Sequence, residues 1–141
     1  MSETTLQTTR GSARTPVTAV LGATAAAVAI WAIATAAGAE LTVSFGPPPG
    51  QPIQKVTVVN VVVAALVGSL AGWGLLALLR RFTANARAVW TVIAIVFALV
   101  SLGGPLSTTA SAGTKVSLVA MHLAVATVVI AVLRRTTQRN E

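Results

Sequence analysis

Cysteine and tyrosine are absent from this 141-residue chain, histidine occurs once, and the three carboxylates include Glu3 and Glu141 near the two chain ends. Without thiols there is no disulfide, no thiolate nucleophile and no Cys-ligated zinc or iron–sulfur site. One histidine and one mid-chain carboxylate, Glu40, are too few ligands for a protein-built metal centre, and they supply no nucleophile–base pair. The sequence therefore points away from an enzyme, and no cofactor is expected. Charge is scarce as well, at 9% of residues, where soluble domains carry about a quarter. With 55% apolar residues and a mean hydropathy of +0.82, water is not the solvent this chain is built for.

The charge that remains is one-sided, ten Lys and Arg against three acids. The cations sit between apolar stretches and are not interleaved with aromatic or polar readers, which argues against nucleic acid. Four charge-free runs dominate the chain. Val17 to Gly38 is about 33 Å long as a helix, enough for a hydrocarbon core of about 30 Å. Thr57 to Leu79 stops at Arg80 and Arg81. Ala88 to Gly104 ends in Gly103, Gly104 and Pro105, and Val116 to Leu133 stops at Arg134 and Arg135. Residues 1–16, rich in Thr and Ser and closing on Pro16, read as a disordered cytoplasmic tail, and 136–141 as a second tail. Between the first two runs, residues 40–55 hold four prolines and read as an extended external loop.

Val, Ile and Thr are abundant, and in water they favour strands. Uninterrupted apolarity overrides that preference, because a membrane strand alternates its faces and needs only about 9–11 residues. A helix also satisfies every backbone N–H and C=O within one segment. The expected fold is all-α, a four-transmembrane-helix bundle over residues 17–135. Its orientation follows from the cations. Eight arginines lie in the two tails and the loop between spans two and three, while the other two loops hold only Lys55 and Lys115. Short cytoplasmic loops are the cationic ones, so both termini are placed inside, as an even number of spans requires. Trp73 and Trp90 are read as inner-leaflet anchors. Ala37-Gly38-Ala39 before Glu40 has the form of a signal-cleavage site, but the first run is longer than the 7–15 apolar residues of a signal, so an uncleaved helix is expected.

In the second run Asn60, Ala64, Gly68 and Gly72 recur at every fourth residue. Such a small-residue ladder lets two helix backbones approach, either within the chain or between copies. Asn60 is a candidate for a cross-helix hydrogen bond. His122, about 9 Å into the fourth run, is the ionisable group with most chemical scope. It is read first as a neutral ring bonded to a neighbouring helix, with a protonation switch or ligand contact as the alternative. Glu40 is expected to pair with Lys55 or to face a pore mouth.

The second run ending GWGLLALLRR, the third opening ARAVWTVIAIVFALVSL and the fourth carrying MHLAVATVVIAVLRR resemble a domain-of-unknown-function family of short actinobacterial membrane proteins, over about residues 17–135. That resemblance implies four transmembrane helices in a bacterial plasma membrane and no known activity. Two functional expectations follow. The first is a non-enzymatic membrane component whose partners are the lipid bilayer and either further copies or another membrane protein. The second is a small transporter or permeation unit with a polar pocket around His122, Asn60 and Glu40, although the discontinuous helices and repeated halves of transporters are not visible.

Overall fold

The computed structural model describes residues 4–44 and 52–138. Its elements are helix α1 (Thr4–Ala36), strands β1 (Thr42–Val43) and β2 (Gln54–Lys55), and helices α2 (Val58–Phe82), α3 (Ala86–Ser101), α4 (Gly103–Ser107) and α5 (Ala112–Gln138). Four stretches are helical, long and apolar enough to cross a membrane: Pro16–Ala36, Val58–Phe82, Ala86–Ser107 and Ala112–Arg135. The all-α four-span reading therefore stands. The four long helices turn at two ends, a hairpin end carrying β1 and β2 and an arginine end carrying Arg80, Arg81, Arg87, Arg134 and Arg135.

Several boundaries differ from the sequence expectation. Helix α1 begins at Thr4, inside the segment read as a disordered tail, and continues through Pro16. Once nucleated on the Ala-rich stretch, a helix gains one hydrogen bond for each residue added, and continues although Pro16 removes one N–H and crowds the preceding turn, at a cost of about 3 kcal/mol. Residues 1–3 lie outside the described residues. The third span is not ended by Gly103, Gly104 and Pro105. Leu102 N–H bonds to Leu99 O at 3.2 Å and α4 follows at once, since proline is tolerated in a helix's first turn, where its N–H has no partner to lose. Helix α5 likewise runs to Gln138, into the segment read as a tail. Within the loop of residues 40–55, Thr42 pairs with Lys55 and Val43 with Gln54 in a short antiparallel hairpin, whose connecting residues 45–51 lie outside the described set.

Packing divides by height. At the arginine end Ala19 and Ala23 of α1, Leu76 of α2, Trp90 of α3, and Val129 and Leu133 of α5 form one buried cluster. At the hairpin end Ala27, Leu41, Val61, Ala65 and Met121 form another, to which α3 contributes nothing. Helix α1 buries the small residues Ala19, Ala23 and Ala27 in these clusters, and its approach to α5 is close, since a Cβ at Gly22 would stand 3.4 Å from Val128 Cγ1. Small side chains at every fourth position permit this close approach.

The loops at the hairpin end are tied together. Trp31 Nε1 donates to Val56 O at 2.9 Å, Val56 N–H to Leu41 O at 2.7 Å, and Thr114 Oγ1 to Glu40 O at 3.0 Å. Ser44 and Thr109 exchange backbone hydrogen bonds of 3.1 and 3.2 Å, joining the two loops. Many large apolar side chains face outward, among them Ile33, Val67, Val92 and Phe97. A surface of that kind is what lipid, not water, solvates.

Candidate functional site

The absence of α3 from the hairpin-end core leaves a groove. Trp90 is 1% exposed and, with Ala86, it is the only buried residue of α3. Its Nε1 donates to Gly72 O on α2 at 2.7 Å, holding the two helices together at the arginine end. Beyond Trp90 no residue of α3 is buried, and a groove of about 670 Å³ opens between α2 and α3 with α5 as its floor. Ala64 and Gly68 line one wall, Phe97 and Ser101 the other, and Met121 and His122 the floor. A Cβ built on Gly68 meets nothing within 4 Å, so the hollow there is unfilled.

The ladder on α2 thus has two parts. At Gly72 an added Cβ would stand 3.5 Å from Val129 Cγ1 and 3.9 Å from Trp90 Cζ2, a contact inside the bundle. Ala64 and Gly68 instead face the groove and are exposed. Trp90, expected to anchor at a membrane surface, is in the core because its indole N–H has found a backbone acceptor there, which suits a buried tryptophan. Trp73 remains exposed.

His122 and Asn60 both line the groove, and Glu40 does not. The expected cross-helix bonds are not the ones formed. His122 Nδ1 donates to Leu118 O of its own helix at 2.8 Å. A carbonyl can only accept, so Nδ1 carries the hydrogen and Nε2 is the nitrogen left for other contacts. The ring is exposed and one turn from that acceptor, which local geometry reaches more easily than a neighbouring helix. Asn60 is likewise engaged locally. Its Oδ1 accepts from Thr57 N–H at 3.2 Å and from the Thr57 hydroxyl, while Asn60 N–H donates to Thr57 Oγ1 at 3.4 Å. This is a capping box that satisfies orphan donors at the start of α2. Its signal, Thr57 three residues before Asn60, was in the sequence.

Glu40 and Lys55 form no ion pair. The Glu40 backbone carbonyl, not its carboxylate, is what anchors the loop, through Thr114. No group of three or more His, Asp or Glu side chains among the described residues could hold a metal ion. Chemically, then, the groove offers apolar contact area with a few polar points.

This arrangement defines a class, a four-helix bundle with the dimensions and outward apolarity of a multi-pass membrane protein. The chain belongs to the family of unknown function DUF6069, whose family model matches residues 7–139. No curated protein and no solved structure was found to match it.

Proposed function

We propose that the chain is a non-enzymatic component of a bacterial plasma membrane, with both termini cytoplasmic, that receives a transmembrane helix of a partner in the groove between α2 and α3. The observation that carries this reading is the unfilled hollow over Gly68, beside Ala64, on a face that opens sideways from the bundle. Helices associate within bilayers through close packing at small residues, since lipid tails supply no hydrophobic drive between them. A helix of a partner protein or of a second copy gains that packing where Gly68 leaves room. The alternative, a permeation unit, draws support from Asn60 and His122 sharing the groove. It is the weaker reading, because Glu40 lies outside the groove and the amide oxygen of Asn60 is committed to the capping box.

Photocrosslinking in native membranes tests this. A photoreactive residue at Val67 should yield a discrete protein adduct that Gly68→Leu removes, and one at Leu78, outside the groove, should not. Equal yields at Val67 and Leu78 would overturn the reading, and adduct mass distinguishes a second copy from another protein.

A further inference from the structure

The groove is not uniform along its length. Near Trp90 and Leu75, at the arginine end, its lining is apolar, and its polar residues, Asn60, Ser101 and His122, all lie toward the hairpin end. Each of the three keeps a hydrogen-bonding group that no partner among the described residues takes up. With its Nδ1 hydrogen given to Leu118 O, His122 presents a lone pair at Nε2 and has nothing further to donate. The Asn60 amide uses its oxygen in the capping box and keeps its two Nδ2 hydrogens. Ser101 Oγ donates to Ala98 O at 2.7 Å, which leaves its oxygen only to accept.

Depth decides what these groups face. Val116 to His122 is about 9 Å of helix, which carries the ring into the hydrocarbon. Acyl chains offer it no hydrogen bond. An occupant of the groove that brings a donor to Nε2 therefore gains a bond that an apolar occupant does not.

A second copy has no such donor to bring. Copies inserted with the same topology meet depth for depth. Met121, next to His122, packs in one cluster with Ala27 of α1 and Ala65 of α2, which marks that depth on both helices. Ala65 is seven residues before Gly72 and Phe97 seven after Trp90, so the Trp90–Gly72 bond marks it on α3 near Phe97. Apart from His122 itself, the exposed side chains there are apolar on all four spans, Ala29, Val63, Val96 and Leu123 among them. A second His122 offers another lone pair, and the exposed Thr127 lies five residues, about 7.5 Å, nearer the arginine end.

We infer that the helix received in the groove belongs to a different protein and sets a hydroxyl or carboxamide group, from Ser, Thr, Tyr, Asn or Gln, against His122 Nε2. Such a group donates to the ring and keeps an oxygen for the Asn60 amide hydrogens. A carboxylate has no hydrogen to give, and a lysine or arginine would bring a charge to this depth. The pairing rests on the groove reading above and specifies the chemistry of its occupant.

The test uses the full chain in native membranes with a photoreactive residue at Val67. His122→Leu should lower the yield of the protein adduct roughly three- to tenfold, the worth of one intramembrane hydrogen bond. His122→Gln, whose amide oxygen accepts, should keep it. Mapping of the attached peptide should find one of the five residue types within two turns of the crosslink, in an apolar run. Leucine at that position of the partner should lower the yield as much as His122→Leu does, with this chain and its folding untouched. An adduct with the mass of a second copy, a partner helix without such a residue, or an undiminished yield when the partner residue is leucine would overturn the pairing and leave the groove reading standing. No discrete protein adduct from Val67, or attachment to lipid alone, would overturn both.

Discussion

The indole of Trp90 donates to the carbonyl of Gly72, 2.7 Å away, and this bond joins α2 to α3 where the missing side chain of Gly72 lets the ring lie against the helix. It makes Trp90 the residue on which α3 depends, since the rest of that helix beyond it is not buried. Trp90→Ala should cost about 3–5 kcal/mol, the range for removing a large buried side chain. Trp90→Phe keeps most of the area but loses the hydrogen bond, and should cost about 1–2 kcal/mol. Unfolding in mixed micelles checks both. Trp73→Phe, on the exposed surface, is the control and should change stability by less than about 0.5 kcal/mol.

The two glycines of the ladder should respond differently. Leucine at Gly72 drives methyl groups into Val129 and Trp90, already 3.5 and 3.9 Å from the position of a Cβ, so it should lower stability by about 1–3 kcal/mol. Leucine at Gly68 enters open space, and the isolated chain should keep or slightly gain thermal stability. Comparable losses at both positions would mean that the groove is closed in the folded protein.

What the sequence made legible was set by the bilayer, as apolar length and helical backbone satisfaction decide the number and kind of spans almost without reference to tertiary packing. The less visible features depended on which residues meet. Helix α1 reads as merely Ala-rich, yet Ala19, Ala23 and Ala27 at four-residue spacing are the stripe it buries in the bundle. Asn60 looks like a polar residue in need of a distant partner when only its depth in an apolar run is weighed, although Thr57 three residues earlier marks it as the N3 member of a capping box. Likewise the groove arises from α3 leaving the core after Trp90, and no local pattern encodes that departure.

Orientation is open to a direct assay because the chain has no cysteine. Single cysteines at Ile53 and Thr109, on the hairpin end, should react with a membrane-impermeant maleimide on intact cells. One at Ala84, between α2 and α3, should react only after lysis. The reverse pattern would place the arginines outside and refute the proposed topology.

His122 is exposed and bonded to its own helix, so its ring is not a brace between helices. His122→Gln should therefore alter stability by about 1 kcal/mol or less. A loss well above that, measured by unfolding in micelles, would show that the ring holds a contact in the folded protein beyond the Leu118 carbonyl.

The knot at the hairpin end makes the last prediction. Thr114 is 0% exposed, and its hydroxyl donates to Glu40 O while lying 2.9 Å from Ser111 Oγ, so one buried group links the start of α5 to the loop after α1. Thr114→Val keeps the shape and removes that hydroxyl. The Glu40 carbonyl still accepts from Thr42 N–H at 2.8 Å, which holds the cost near the lower end of the roughly 1–3 kcal/mol for a buried group losing its partner. Thr114→Ser retains the hydroxyl, gives up one methyl, and should cost about 0.8 kcal/mol. The two variants are close in stability but differ in where they loosen the chain. Thr114→Val should speed hydrogen exchange at Thr42, Ser44 and Val56, whose amides tie the loop, while protection in α2 around Gly72 stays unchanged. Thr114→Ser should leave all of these amides as they are. If the two variants accelerate exchange equally, volume at Thr114 and not its hydroxyl holds the loops against the bundle.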